Sequence, residues 1–66
     1  MDFIEKAKVR MEHWIHHNDH HNEDYEDFAK QLEEAGKTES AAGVREMMEL
    51  TSKSTECLRK ALDALD

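Results

Sequence analysis

Apolar residues in the first half of the chain recur at alternating steps of three and four, the spacing of one helix face in a coiled coil. This pattern predicts one amphipathic helix over about residues 3–35. Asp2 is a suitable N-cap with Glu5 three residues later, and Gly36 offers the left-handed conformation that ends many helices. The row consists of Ile4, Ala7, Met11, Trp14, Asn18, His21, Tyr25, Phe28, Leu32 and Ala35.

A second row with the same spacing follows Gly36 and predicts a helix over about residues 39–65. Thr38 or Ser40 is expected to cap its start. Gly43 lies in the first turns, where a helix tolerates glycine at a cost of roughly 1 kcal/mol relative to alanine. The row consists of Ala41, Val44, Met48, Thr51, Thr55, Leu58, Leu62 and Leu65.

The link between the two rows is short, so the helices are expected to be antiparallel neighbours in an all-α helical hairpin. With the turn centred near Lys37, Asn18 and His21 of the first row face Thr55 and Thr51 of the second. The polar interruptions of the two rows therefore coincide, which favours the hairpin.

An alternative fold breaks the first helix near Asn22, because asparagine and aspartate favour caps over helix interiors. It is a three-helix bundle with helices at about 3–20, 22–35 and 39–65. The heptad phase continues without a break from Asn18 to Asn22, and this favours the continuous helix.

The composition is typical of helices rather than of a sheet, with 38% charged residues, 6% aromatic residues and no proline. The 66 residues allow a single domain, residues 1–66, with a small core and little stability to spare. That core is expected to contain Trp14, Phe28 and the methionines at 11, 47 and 48. We expect a second copy to cover the apolar positions that flank the two rows, in a homodimeric four-helix bundle. Those positions are Val9, Ile15, Met47, Leu50 and Ala61.

The net charge of −7, without a basic stripe, argues against nucleic-acid binding. Cys57 is the sole cysteine, so no disulfide within the chain is possible. No apolar run is long enough for a signal peptide or a membrane span, so a cytoplasmic protein without membrane association is expected.

Five histidines fall within nine residues and share one stripe of the first helix. Pairs one turn apart, such as His17 and His21, can share a single metal ion. The donors suit Zn²⁺, Ni²⁺, Co²⁺ or copper, and affinity should fall below about pH 6 because imidazole binds metal only when neutral. Two ligand sets follow from the spacing: His17 and His21 with Cys57 from the facing helix, or His13, His17 and His20 with Asp24. The whole stripe is His13, His16, His17, His20 and His21.

Two other interpretations involve no metal. His21 and Asn18 with Thr51 and Thr55 form a buried polar layer, which fixes register and partner number in a structural module. Alternatively, clustered histidines respond together to pH near 6. Catalysis is not expected, because the spacing of two histidines in HExxH is present without its glutamate, and no nucleophile–base pair is apparent.

The segment from His13 to His21, followed by Phe28, resembles the HWIxHNxxH segment of a group of small, acidic helical domains from anaerobic bacteria and archaea. Those domains occur alone or attached to proteins linked with nickel and cobalt handling. The resemblance implies a helical hairpin and makes a role in metal handling more plausible, whereas His16 and His20 lie at variable positions of the segment. The matching positions are His13, Trp14, Ile15, His17, Asn18 and His21.

The leading hypothesis is a small non-enzymatic protein that binds a transition metal ion through His13, His17 and His21, with nickel or cobalt homeostasis as its implied role. The rival hypothesis is a structural or interaction module whose histidine, asparagine and threonine layer sets the register of a dimer.

Overall fold

Two antiparallel helices joined by a tight turn form the whole described structure. The computed structural model describes residues 2–65; residues 1 and 66, the ends of the predicted domain, lie outside the described residues. Helix α1 spans Phe3–Glu34 and helix α2 spans Thr38–Asp63. They pack against each other in a rod of 51 × 16 × 10 Å. The predicted helical hairpin is therefore confirmed, with helix bounds within two residues of those expected.

The N-terminal ends of the two helices are capped differently. The Asp2 carboxylate accepts a hydrogen bond from the Glu5 backbone N–H at 2.9 Å, so the predicted cap of α1 is confirmed. Lys37 occupies the N-cap position of α2 and makes no side-chain capping bond. The expected cap at Thr38 or Ser40 is wrong, because both residues already lie inside the helix.

The turn between the helices is built on Gly36, whose φ of +81° confirms the predicted left-handed position. The Lys37 N–H donates to the Leu32 carbonyl at 2.8 Å, and the Gly36 N–H donates to the Glu33 carbonyl at 2.9 Å. These two bonds form a Schellman motif, which satisfies carbonyls at the end of α1 and reverses the chain. The short turn brings the helices together side by side.

Helix α1 runs without interruption through Asn22, so the three-helix alternative is wrong. The Asn22 amide points across to α2, where its Nδ2 donates to the Met48 carbonyl at 3.3 Å and to the Ser52 hydroxyl at 3.1 Å. The side chain that was a candidate helix cap thus links the two helices instead.

The contact row of α2 agrees with the sequence pattern, since all eight of its positions are buried or half-buried. The contact row of α1 keeps six of its ten predicted positions but is rotated slightly, so that Ile15 and Ala29 take the places expected for Trp14 and Phe28. Ile15 and Ala29 are 6% and 0% exposed, whereas the expected core residues Trp14 and Phe28 are 46% and 53% exposed. The residues of α1 that are at least half-buried are Ala7, Lys8, Met11, Ile15, Asn18, His21, Asn22, Tyr25, Glu26, Ala29 and Leu32.

Small side chains next to the turn explain the rotation. Ala29 and Ala41 are both almost completely buried, at 0% and 1% exposure. The tight turn holds α1 and α2 close together at this end, where the distance between helix axes depends on side-chain size. Alanine fits there and the Phe28 ring does not, so the ring lies beside the contact and Ile15 turns inward. Met47 is also exposed, contrary to its expected place in the core.

One side of the hairpin is covered by ion pairs between the helices. Arg45 contacts Glu33 at 2.7 Å and Glu26 at 3.3 Å, and Arg59 contacts Asp19 at 3.4 Å. We call this side the ion-pair face. The hydrogen bond from Arg45 lowers the pKa of the Glu33 carboxyl below the usual glutamate range.

The two glycines should respond to alanine in opposite directions. Gly36→Ala should lower the free energy of unfolding by about 1–2 kcal/mol, because a Cβ disfavours positive φ. Gly43→Ala should raise it by about 0.5–1 kcal/mol, because alanine favours the helix. A Cβ at either position meets no atom within 4 Å, so steric contact does not confuse the comparison. Urea denaturation measures both free energies of unfolding. A change in the same direction for both variants would contradict the turn geometry.

Arg45→Gln should raise the pKa of Glu33 towards its ordinary value, as followed by carboxyl NMR titration. Because the folded pKa of Glu33 is depressed, its stabilising contribution is present above the unfolded value of about 4.3 and is lost as pH falls through the folded pKa. The stability difference between wild type and variant should therefore shrink in strong acid. Arg59→Gln, which removes the contact with Asp19, is the control and should leave the Glu33 titration unchanged.

Candidate metal centre

His17 and His21 form the closest pair of metal-binding side chains in the described structure. They lie one turn apart near the middle of α1, and their Nε2 atoms are 2.7 Å apart. At this distance one Nε2–H can donate a hydrogen bond to the other Nε2, with the two roles set by the ring tautomers. Their aromatic rings meet edge to face, with centroids 4.3 Å apart.

The neighbouring rings extend this pair into a ladder along α1. The ring centroids of His13 and His17 are 5.9 Å apart. Tyr25 stacks on His21, with ring centroids 5.7 Å apart and an angle of 12° between the ring planes. The Tyr25 stack limits the orientations of the His21 ring, which is itself half-buried. His13 is tilted by 41° and shares no hydrogen bond with His17 within the described residues. The ladder thus positions one pair of nitrogens rather than three.

The other candidate ligands lie apart from the pair. His20 is exposed, with its Nδ1 atom 3.9 Å from the Glu23 carboxylate. His16 is exposed and makes no hydrogen bond, ion pair or ring contact within residues 2–65. Asp24 is also exposed. Cys57 is a free, exposed thiol on α2. Of the five histidines, His21 is half-buried at the helix contact and the other four are exposed.

Neither predicted ligand set is assembled within one chain. Across the described part of the chain, no group of three or more histidine, cysteine, aspartate or glutamate side chains converges on a common point. The sequence pattern therefore predicted the two convergent histidines but overestimated how many residues of the same chain join them.

The expected polar layer around His21 and Asn18 takes a different form. The Thr51 and Thr55 hydroxyls donate to the carbonyls of Met47 and Thr51 in their own helix, at 3.0 and 3.1 Å. They do not provide a hydrogen bond to α1. Asn22 provides the polar contact between the helices, and its Oδ1 atom is buried without a partner among the described residues.

The geometry of the pair suits a divalent ion. An ion about 2.0 Å from each imidazole nitrogen, at a tetrahedral angle, needs those nitrogens roughly 3.3 Å apart. The 2.7 Å separation reaches that value through a small rotation of either ring. The ion would take the place of this hydrogen bond, and further ligands would have to come from water or another molecule. The net charge of −7 favours the approach of a cation.

The sequence pattern did not predict two contacts between the helices, namely the Asn22 bridge and the Arg45 ion pairs. The antiparallel register contains a signal for both of them. A turn centred near Lys37 places Asn22 opposite Ser52 and Arg45 opposite the segment that contains Glu26 and Glu33. Applying the register to polar as well as apolar residues would have found them.

Residues 7–65 match the model of a protein family described as a domain of unknown function, DUF8180. The chain belongs to the DUF8180 family. The match covers nearly all of α1 and the whole of α2, including the histidine stripe. The family description names no metal and no activity. No curated protein and no solved structure shows significant similarity to the chain. In the described part of the chain, neither helix has a segment both long and apolar enough to cross a membrane.

Proposed function

We propose that this DUF8180 protein binds a divalent transition metal ion, with Zn²⁺, Ni²⁺ and Co²⁺ as the candidates, through Nε2 of His17 and His21, without an enzymatic step. The observation that carries the proposal is the 2.7 Å approach of these two nitrogens on one helix face. Imidazole is a common ligand of these ions, and histidines one turn apart can bind the same ion.

The surroundings of the pair support binding rather than catalysis. His17 is exposed, so an ion can reach it, whereas the half-buried His21 is held by the Tyr25 ring. Because the contact with His17 and the Tyr25 stack already limit the His21 ring, the pair loses little side-chain freedom when it binds an ion. Further imidazoles at His13 and His20 lie on the same helix, where they can receive or release an exchanging ion.

Metal titration tests the proposal. Wild type should bind Zn²⁺, Ni²⁺ or Co²⁺ with submicromolar Kd, and His17→Gln or His21→Gln should weaken binding by roughly 100-fold, about 2.7 kcal/mol. Isothermal titration calorimetry gives the affinities, and the visible spectrum of bound Co²⁺ reports nitrogen ligands independently.

His16→Gln is the matched control, because His16 is an exposed histidine on the same helix that makes no hydrogen bond, ion pair or ring contact in residues 2–65. It should bind the ion like wild type. Millimolar binding by wild type, or equal losses in all three variants, would reduce the stripe to scattered surface histidines and overturn the proposal.

A second candidate function is a helical interaction module whose polar layer selects one packing, and the Asn22 bridge favours it. Asn22→Leu should raise the free energy of unfolding by about 1 kcal/mol, since it removes a buried acceptor without a partner. In this variant the Met48 carbonyl keeps its hydrogen bond within the helix, and the exposed Ser52 hydroxyl can bond to water. If the layer specifies packing, the more stable variant should also show mixed association states in sedimentation; a single unchanged mass would contradict this role.

A further inference from the structure

We infer that two copies of the chain pack face to face in antiparallel fashion, so that His17 and His21 of both copies together form a four-imidazole metal site on a two-fold axis. This inference rests on the proposed function, and it adds the partner that completes the site. One chain supplies two convergent nitrogens, whereas a closed tetrahedral site takes four ligands.

The histidine pair lies on the side of the hairpin opposite the ion-pair face. The contacts of Arg45 and Arg59 define the ion-pair face, and the helical repeat places Trp14, His17 and Phe28 on the opposite side of the hairpin. The antiparallel arrangement brings Met47 and Ala61 of α2 to this same side. We call it the exposed apolar face, and its large members Trp14, Phe28 and Met47 are all exposed.

A shallow groove on this face fits a side chain from a second copy. The groove has a volume of about 270 Å³ and is lined by Phe3, Lys6, Ala7, Arg10, Met11 and Trp14. If α1 packs antiparallel on the partner's α1 with the two-fold axis between His17 and His21, Arg10 lies beside the partner's Phe28. The exposed Phe28 ring then enters the groove of the other copy, where Arg10 can contact its face.

Helix α2 supports the same position for the axis. Ser54 lies opposite the histidine pair in the hairpin register and forms one row with Met47 and Ala61, seven residues to either side. With the axis at Ser54, this small residue meets its own copy, which lets the helices approach closely. Met47 then meets the partner's Ala61, so that a large residue packs against a small one.

Charge along α1 favours the antiparallel orientation. Residues 3–13 contain three bases and two acids, whereas residues 19–34 contain seven acids and one base. Antiparallel pairing places the basic end of each α1 beside the acidic end of the other, and parallel pairing would place acid against acid. A second copy would therefore supply the two missing ligands, fill the groove and pair the oppositely charged ends of the two α1 helices.

Sedimentation equilibrium with Zn²⁺, together with calorimetric stoichiometry, tests the inference. Wild type should have the mass of two chains and bind one ion per two chains. Phe28→Lys should have the mass of one chain and bind Zn²⁺ roughly tenfold or more weakly, since only two imidazoles remain. Val9→Lys is the matched control, because Val9 is 54% exposed, close to the 53% of Phe28, but lies on the outer side of α1. It should behave as wild type.

A cross-linking pair checks the register. In a Cys57→Ser background, Ser54→Cys should form a disulfide between two chains when a thiol oxidant is added, because the two-fold axis brings the two thiols together. Ser52→Cys, on the ion-pair face, should not. Cross-linking from both positions, or from Ser52→Cys alone, would overturn the proposed register. Circular dichroism establishes that each variant keeps its helical hairpin.

The outcomes separate the two proposals. One ion per chain on a monomeric wild type would keep metal binding by His17 and His21 and overturn the shared site. A two-chain mass without Zn²⁺ binding would overturn both the proposed function and the four-imidazole site, leaving only an apolar dimer. Loss of the one-to-two stoichiometry in His17→Gln, with the dimer mass retained, would support the shared site directly.

Discussion

The close contact between α1 and α2 beside the Gly36 turn is the constraint on which the rest of the structure depends. Ala29 and Ala41 are the most buried residues of the described chain, and they lie where the Schellman motif brings the helices together. This contact fixes the rotation of α1 about its own axis. Because a helix is stiff, the same rotation determines where the histidine ladder points, two to three turns away.

The sequence pattern predicted the contact row of α2 better than that of α1, and the reason is physical. In α2 the adjacent row, one residue earlier, contains only two large apolar side chains, Met47 and Leu50, so the predicted row buries more apolar surface. In α1, Trp14 stands next to Ile15 and Phe28 next to Ala29, so two adjacent rotations bury similar numbers of apolar residues. Periodicity alone predicts burial of the larger rings, Trp14 and Phe28. The space beside the partner helix is small, so Ile15 and Ala29 are buried instead.

The candidate site was predictable to the same extent as the helix that carries it. A continuous α1 was enough to align the histidines and to rank His21 as the least exposed. The distance between two nitrogens depends on side-chain rotation, which Tyr25 limits by stacking, and spacing does not contain this information. The Asn22 bridge was missed because asparagine at that position is equally suited to a helix cap.

The small size of the core would link the proposed metal binding to the inferred self-association. Only Ile15, Ala29 and Ala41 are buried apolar residues within the described chain, so two helices alone gain little from burial. The rotation that hides these residues leaves Trp14 and Phe28 beside the histidine pair. An ion held by both copies would stabilise the dimer, and by the same linkage dimer formation would strengthen the site. Apparent metal affinity should therefore rise with protein concentration, a dependence that an isolated pair of histidines on one helix does not produce.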